Sequence, residues 1–285
     1  MIKSVGIVSK PGRGDILGIL EKLLPWLDGR GITASLDTVS SGYLGREGSF
    51  ERHEFSDAFD LLIVLGGDGT LLSVARGMGA RDIPILAVNL GGLGFMMTTG
   101  PEELFSHLER VLDGKFHLQQ RTVLSVEILR DGEVAGHYHA LNDMVVNKAA
   151  VARLLLLDAY VDDEFVCSYR ADGLIISTPT GSTAYSLAAG GPVIFPTVPA
   201  ICVTPICPHT LTNRPVLLPE DSTVEVVIRR GDDDSYLTVD GQVGLYLRHN
   251  DRIRASRAKH RIHIIQPRKL RFFNVLRNKM KWGQE

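Results

Sequence analysis

Apolar residues in the first 120 positions follow two alternating spacings. Short, nearly continuous apolar runs, the pattern of strands buried on both faces, occupy 2–9, 60–65 and 83–89. Segments with apolar residues at helical spacing occupy 15–27, 70–78 and 101–112. Continuous apolar strands separated by helices predict an α/β domain with a parallel sheet over residues 1–120.

The spacing changes after Arg121, where period-two alternation replaces helical periodicity. The predicted strands are 123–130, 133–141, 154–161, 164–169, 223–229, 236–239, 253–255 and 261–265. These short strands predict an all-β second domain over residues 121–267. Helical spacing returns only at the end of the chain, where it predicts a helix over 270–282.

Composition supports a globular, intracellular protein. The 285 residues are 44% apolar and 22% charged, which excludes a disordered, collagenous or coiled-coil chain. Residues 173–213 contain no Asp, Glu, Lys or Arg, but their six prolines and four glycines favour buried strands and a site loop over a membrane span. The N-terminal apolar run is too short for a signal peptide, and three cysteines form no disulfide or zinc pattern. We therefore expect a cytoplasmic protein.

The net charge of −2 conceals two opposed regions. Residues 248–285 hold 12 of the 31 Lys and Arg but only 2 of the 33 Asp and Glu. Taken alone, this asymmetry suggests a nucleic-acid or membrane partner for the basic tail.

The strongest local motif is LLIVLGGDGTLLSVA at 61–75, a buried strand that turns through glycines into a helix. Glycines let the backbone approach a ligand closely, and a helix N-terminus attracts phosphate. Gly66, Gly67, Gly69 and Thr70 are the candidate phosphate loop, and Asp68 places a carboxylate beside it. The alternative is a tight turn in which Asp68 caps the helix.

This loop differs from the common nucleotide motifs. No G-x-x-x-x-G-K-[ST] sequence occurs, and the early Gly12-Arg13-Gly14 lacks the third glycine of a dinucleotide fingerprint. That early loop is either structural or in contact with phosphate.

GGDGT at 66–70 resembles a motif shared by NAD kinases, lipid kinases and, more distantly, 6-phosphofructokinases. The choice among them comes from RADG at 170–173, TPTGSTAYSLAAGGP at 178–192 and PHTLTNRP at 208–215. With these segments, nearly the whole chain is similar to bacterial NAD kinases that use ATP or polyphosphate. A lipid kinase and a non-catalytic NAD-binding module are the less favoured alternatives.

The resemblance implies a fold and an activity. The fold is an N-terminal Rossmann-like α/β domain and a C-terminal β-sandwich that binds NAD, with the segment 268–285 packing back on the first domain. With that packing, we favour a basic tail that faces the acidic remainder of the chain or forms a subunit interface. A basic funnel for anionic ATP and NAD is the second interpretation, and we expect no nucleic-acid or membrane partner. The activity is transfer of the γ-phosphate of ATP to the 2′-hydroxyl of the adenosine ribose of NAD, giving NADP. It further implies Mg²⁺ or another divalent cation on the donor phosphates without a dedicated protein site, and a homodimer or homotetramer.

The resemblance also implies roles for individual residues. Asp68 matches the catalytic carboxylate of the family. The positions that match or lie near its NAD-binding residues are Phe95, Asn142, Asp143, Arg170, Asp172, Thr183, Ala184, Tyr185, Ser186 and Gln242. Two residues depart from the family pattern: Asp143 stands where Glu is frequent, and Ala188 where Ser is frequent.

Five of these residues have plainer alternatives. Asn142-Asp143 is also a possible strand-end turn, and Arg170 a possible surface ion-pair partner. Phe95 also fits a core position, and Gln242 a hairpin turn. His137 and His139 share one face of a strand, where an exposed sheet edge is favoured over metal ligation.

Overall fold

The structure is a computed structural model that describes residues 2–92, 94–97, 99–148, 154–230, 235–266 and 272–281. Contacts divide the chain into two compact units, Met1–Gln120 with Ile262–Glu285, and Arg121–Arg261. Each unit is built around its own hydrophobic core. No helix among the described residues is long and apolar enough to cross a membrane.

A six-stranded sheet forms the centre of the first unit. Its strands are β1 (Ser4–Ser9), β2 (Thr33–Leu36), β3 (Leu61–Gly66), β4 (Ile85–Asn89), β5 (His117–Arg121) and β18 (Ile262–Gln266). They lie in the order β2-β1-β3-β4-β18-β5, and the pairs β1–β2, β1–β3, β3–β4 and β4–β18 are parallel. The helices are α1 (Asp15–Asp28), α2 (Thr38–Gly42), α3 (Asp68–Met78), α4 (Leu104–Leu112) and α6 (Phe272–Met280).

Apolar spacing explains how this unit packs. All six residues of β3 are buried, as expected for a central strand covered on both faces. The helix α1 buries the stripe Ile16, Leu20, Leu23 and Leu27. This stripe and the apolar residues of β1 and β3 share one core, which makes the sheet edge a rigid support for the loops that follow its strands.

Two antiparallel sheets form the second unit. The first contains β6 (Leu124–Arg130), β7 (Glu133–Ala140), β9 (Leu155–Val161), β10 (Glu164–Ala171), β14 (Val224–Arg230) and β17 (Arg252–Arg257). The second contains β8 (Asp143–Lys148), β11 (Gly173–Ser177), β12 (Ala200–Ile206), β13 (Val216–Pro219), β15 (Ser235–Val239) and β16 (Val243–Leu247). Their orders are β10-β9-β14-β17-β6-β7 and β13-β12-β11-β8-β15-β16.

The inner faces of these two sheets make one core. Leu157 and Val226 of the first sheet belong to the same buried cluster as Val146 and Ile176 of the second. Buried and partly exposed positions alternate along β6, β9 and β15, as in a sheet with one covered face. The predicted fold class, an α/β domain plus an all-β sandwich, is confirmed.

One predicted strand lies in a different unit from the one that we expected. We expected residues 261–267 in the sandwich, but β18 lies in the parallel sheet, where Ile264 pairs with Ile85 of β4. The apolar residues Ile262, Ile264 and Ile265 suit either sheet, so the local pattern does not identify the partner strand. Residue 267 lies outside the described residues, as do parts of the segment 268–285.

Candidate active site

The GGDGT loop lies where the chain reverses its direction across the parallel sheet. From β1 the chain moves to β2 on one side, and from β3 it moves to β4 on the other, so the carboxyl ends of β1 and β3 form a topological switch point. Ligands of open α/β sheets bind at such points. The adjoining loops are held to β3, since the Lys10 N–H donates to Leu65 O and the Leu90 N–H to Gly66 O, each at 2.8 Å.

Asp68 is the first residue of α3, and its carboxylate faces the loop that follows β4. Oδ2 accepts the backbone N–H of Phe95 at 3.0 Å, and Oδ1 accepts that of Met96 at 3.4 Å. A Cβ at Gly94 would displace this carboxylate, so glycine leaves the carboxylate in its position. The N-cap of α3 is Gly67 without a side-chain cap bond, so Asp68 does not cap the helix. The Asp68 carboxylate is half-buried, and the backbone N–H groups of Phe95 and Met96 orient it.

The glycines of this loop serve two purposes. A Cβ at Gly66 would collide with Thr70, whose side chain is buried, so Gly66 is required by packing. At Gly67 and Gly69 an added Cβ would meet nothing within 4 Å. Open space beside two glycines at a helix N-terminus suits a phosphate group.

The early loop is tied into the same edge by its arginine. The Arg13 guanidinium pairs with Asp15 and donates to the carbonyl of Leu90. Its backbone N–H donates to the Tyr43 hydroxyl at 2.9 Å. These contacts favour the structural interpretation of residues 12–14.

Phe95 lies in the first unit and packs against α6. Its ring centroid lies 6.5 Å from that of Phe272, and the Lys279 ammonium lies 4.7 Å above its ring. A half-buried ring with a cation over one face is more than plain core. Its predicted contact with adenosine stays a prediction.

In the second unit, Asn142 and Asp143 lie at the start of β8 beside Asp240. The Asp240 carboxylate accepts the N–H groups of Leu141, Asn142 and Asp143 at 2.9, 2.7 and 3.1 Å. Asp240 returns its own N–H to Asp143 O at 2.9 Å. Its φ is +49°, a left-handed conformation that Asp tolerates. No role for Asp240 follows from the sequence alone, although an Asp-Gly pair after a strand is typical of such a turn.

The Asp143 carboxyl is only 5% exposed. Burial, together with the neighbouring Asp240 charge, raises the pKa of Asp143 to about 7. The carboxyl therefore holds its proton over part of the neutral range, and it donates as well as accepts hydrogen bonds there.

The TPTGSTAY segment forms a tight turn after β11. Residues Gly181–Thr183 make a 3₁₀ turn and Tyr185–Ala188 a single helical turn, α5. Ala184 and Tyr185 are exposed, Tyr185 by 41%, and Thr183 is half-buried. Ser186 is fully buried, and its hydroxyl shares a 2.9 Å hydrogen bond with Thr204. Its side chain thus supports the turn from within.

The remaining predicted residues occupy separate positions in this unit. Asp172 pairs with Lys148 at 2.6 Å. Arg170 is exposed on β10, and its carbonyl accepts the His209 N–H at 2.8 Å. Gln242 is exposed in the turn between β15 and β16, with its N–H on Val239 O at 3.1 Å. None of these contacts assigns a ligand to the three side chains.

Several buried polar atoms near Asn142 lack a partner among the described residues. They are Asn142 Oδ1, Ser177 Oγ and Thr180 Oγ1. Ser177 pairs in register with Asp143, and the Asn142 carbonyl accepts the Thr178 N–H at 2.8 Å. Buried polar groups are normally hydrogen-bonded, so this cluster is suited to a polar ligand.

A phosphate-type loop at an α/β switch point and a polar turn on a β-sandwich define a nucleotide-binding protein of two units. The ATP-NAD kinase N-terminal domain model matches residues 5–116, and the C-terminal domain model matches 141–267. The NAD kinase of Solibacter usitatus is 51% identical over 284 residues, covering 100% of this chain and 99% of the relative. The chain belongs to the NAD kinase family.

Solved structures agree with this assignment. The yeast NADH kinase complexed with NADH is 27% identical with a TM-score of 0.90, and the match covers 100% of this chain and 89% of that one. The NAD kinase of Archaeoglobus fulgidus, in complex with ATP, is 22% identical with a TM-score of 0.78, covering 98% and 100%. The second likeness concerns the fold alone.

Proposed function

We propose that this chain transfers the γ-phosphate of ATP to the 2′-hydroxyl of the adenosine ribose of NAD, giving NADP and ADP. Family membership supports the activity. The observation that carries the site is the oriented Asp68 carboxylate at the N-terminus of α3, where the parallel sheet has its switch point.

Asp68 is the proposed base. As the ribose oxygen forms its bond to the γ-phosphorus, its proton passes to the carboxylate, and the bond to the β,γ-bridging oxygen breaks to release ADP. A positioned base contributes about 10²–10⁴-fold to such a step. The N–H groups of Phe95 and Met96 hold the carboxylate in place and leave lone pairs on its oxygens for the proton.

The loop glycines and the dinucleotide residues have separate roles in this proposal. Gly66, Gly67, Gly69 and Thr70 shape the phosphate loop, with open space at Gly67 and Gly69. For NAD we propose the following contacts in addition to Phe95: Asn142, Asp143, Arg170, Asp172, Thr183, Ala184, Tyr185 and Gln242. The cluster of unpartnered polar atoms around Asn142 supports this side of the proposal. Ser186 supports the turn through Thr204.

We propose Mg²⁺ as the divalent cation, carried on the phosphates of ATP. Among the described residues no group of three or more His, Cys, Asp or Glu side chains is arranged to hold a metal ion. A hydrated Mg²⁺ bound through the substrate phosphates would fit this donor set. When bound, it neutralises charge on the transferring phosphoryl group.

The family resemblance also supports a homodimer or homotetramer and a cytoplasmic location. Light scattering coupled to size-exclusion chromatography measures the assembly directly. A mass equal to one chain would contradict the first of these proposals.

The test of the proposed activity is formation of NADP by the purified chain from ATP, Mg²⁺ and NAD. We expect Asp68→Asn to lower turnover by at least about 10²-fold, because the amide cannot accept the proton, while NAD still binds. The matched control is Asp113→Asn, an exposed carboxylate paired with Lys115, which should leave turnover unchanged. Undiminished turnover in Asp68→Asn would remove Asp68 from this role.

Substrate selectivity needs the same assay with other pairs of substrates. Polyphosphate in place of ATP tests the donor, and NADH in place of NAD tests the acceptor. If none of these substrate pairs gives a phosphorylated dinucleotide, the proposed function is overturned.

A further inference from the structure

The peptide groups at the start of β8 are held from one side by a single carboxylate. Asp240 receives three consecutive N–H groups, from Leu141, Asn142 and Asp143, at 2.7–3.1 Å. The carboxylate is 7% exposed, so water competes little for these bonds. Hydrogen bonds to a charged acceptor are about twice as strong as neutral ones.

The same segment is held from the other side by Thr178. Its hydroxyl donates to Leu141 O at 2.6 Å and accepts the Gly181 N–H at 3.1 Å, and its N–H donates to Asn142 O at 2.8 Å. Thr178 is fully buried. A Cβ at Gly181 would collide with the Asn142 carbonyl, so the turn packs directly on this peptide.

Together these contacts satisfy the N–H groups of residues 141–143 and the carbonyls of Leu141 and Asn142. The Asn142 side chain differs, since its Oδ1 is buried without a partner among the described residues. A backbone fixed on both sides holds an unsatisfied side-chain acceptor in one place. That is the arrangement expected of a pre-organised ligand contact.

We propose that Asp240 and Thr178 are positioning residues for the dinucleotide. They fix the backbone of residues 141–143 so that the Asn142 amide and the Asp143 carboxyl meet NAD in one orientation. The inference rests on the proposed function, in which Asn142 and Asp143 contact NAD. Neither positioning residue is required to touch the substrate.

The first test is Asp240→Asn. Asn tolerates the left-handed φ of +49° and keeps one acceptor oxygen, but its amide NH₂ replaces the acceptor that faces a backbone N–H. We expect Kd and KM for NAD to rise by about tenfold or more, with little change in KM for ATP or in kcat at saturating NAD. The matched control is Asp162→Asn, another Asp with positive φ that accepts a backbone N–H, from Thr223 at 2.8 Å. Asp162→Asn should have the same Kd and KM for NAD as the parent chain.

The second test uses Thr178 and keeps the proposal falsifiable if Asp240→Asn does not fold. Thr178→Val removes the hydroxyl at nearly constant volume, and Thr178→Ser keeps it. We expect Thr178→Val to raise the Kd for NAD, and Thr178→Ser to keep the Kd of the parent chain. Equal effects of Val and Ser would indicate a packing role and overturn the proposal.

Asn142→Ala separates this inference from the function on which it rests. If Asn142→Ala leaves NAD binding unchanged, the proposed NAD contact fails, and Asp240 then has nothing to position. If Asn142→Ala weakens NAD binding while Asp240→Asn and Thr178→Val do not, the positioning role fails alone. In the double variant Asp240→Asn with Asn142→Ala, we expect losses smaller than the sum of the single effects. Full additivity would contradict action through Asn142.

Discussion

At the scale of single residues, the two neighbouring carboxyls Asp143 and Asp240 predict an unusual dependence of stability on pH. The pKa of Asp143 is raised to about 7 by burial and by Asp240, whereas in the unfolded chain it lies near its ordinary value. Between about pH 4 and 7 the folded protein therefore holds a proton that the unfolded chain releases, and stability falls as pH rises through that window.

Asp143→Asn should remove this dependence, because the amide carries no charge at any of these pH values. The measured quantity is the free energy of unfolding of the variant minus that of the parent chain. We expect this difference to rise by about 2 kcal/mol from pH 5 to pH 8. Denaturant unfolding at the two pH values measures it. Asp113→Asn, an exposed carboxyl, is the control and should give parallel curves. Parallel curves for Asp143→Asn would show that its carboxyl titrates normally.

The position of a candidate residue is predictable from the sequence where a local motif surrounds it, and its bonding partner is not predictable where that partner is distant in sequence. Asp68 stands out because a strand, glycines and a helix surround it within 15 positions. Asp240 binds backbone groups 97–99 positions earlier, and that pairing exists only after β8 and β15 have joined. Ser186 was expected to contact NAD, yet its hydroxyl bonds Thr204, which no local pattern reveals.

At the scale of elements, β7 and the segment before β18 bring three histidines together. The His139 ring lies 4.8 Å from His137 and 4.7 Å from His260, centroid to centroid. Burial and the charges of His260 and His137 lower the pKa of His139 to about 4, and burial lowers the pKa of His260. The expected edge position is confirmed, because β7 ends its sheet. The expected exposure holds for His137 only, since His139 is half-buried.

This cluster predicts loss of stability in acid. A histidine whose folded pKa lies below its unfolded value stabilises fully above about pH 6.5, and this stabilisation is lost as pH falls towards 4. We expect His139→Gln to reduce the fall in the free energy of unfolding between pH 7 and pH 5 by about 1 kcal/mol. This figure is lowered because solvent screens the half-buried His139 ring. Thermal unfolding over that range measures it, with the exposed His249→Gln as control. Identical acid sensitivity in both variants would contradict the prediction.

Element prediction followed the strength of the periodic signal. The fully apolar β3 and the striped α1 were found within one or two residues of their bounds, because burial on two faces or one face leaves a clear spacing. The short β2 and α2, only four and five residues long, were missed, and so was the six-residue β8. The strand β18 was found, but its partner β4 lies nearly 180 positions away, so pattern alone assigned it to the wrong sheet.

At the scale of the whole molecule, the basic tail is partly neutralised by acidic side chains of the second unit. Arg252 and Arg254 share the Glu225 carboxylate at 2.9 and 3.2 Å, and Arg261 pairs with Glu220 at 2.6 Å. Glu220 also accepts the Thr122 hydroxyl at 3.1 Å, near the point where the chain enters this unit. The opposed charges of the sequence thus meet, at these residues, within one unit.

Pairing of this kind predicts weak binding to polyanions despite the 12 basic residues of the tail. Salt screens the attraction between exposed charges that lie more than about 8–10 Å apart. Arginines without a carboxylate partner would therefore account for most of any retention on heparin. We expect the chain to elute from heparin below about 0.15 M salt, and Glu225→Gln to elute later because two arginines lose their partner. Glu47→Gln changes the net charge equally at an exposed position and is the control. Equal shifts for the two variants would show that net charge, and not local pairing, governs retention, and strong retention of the parent chain would restore a polyanionic partner for the tail.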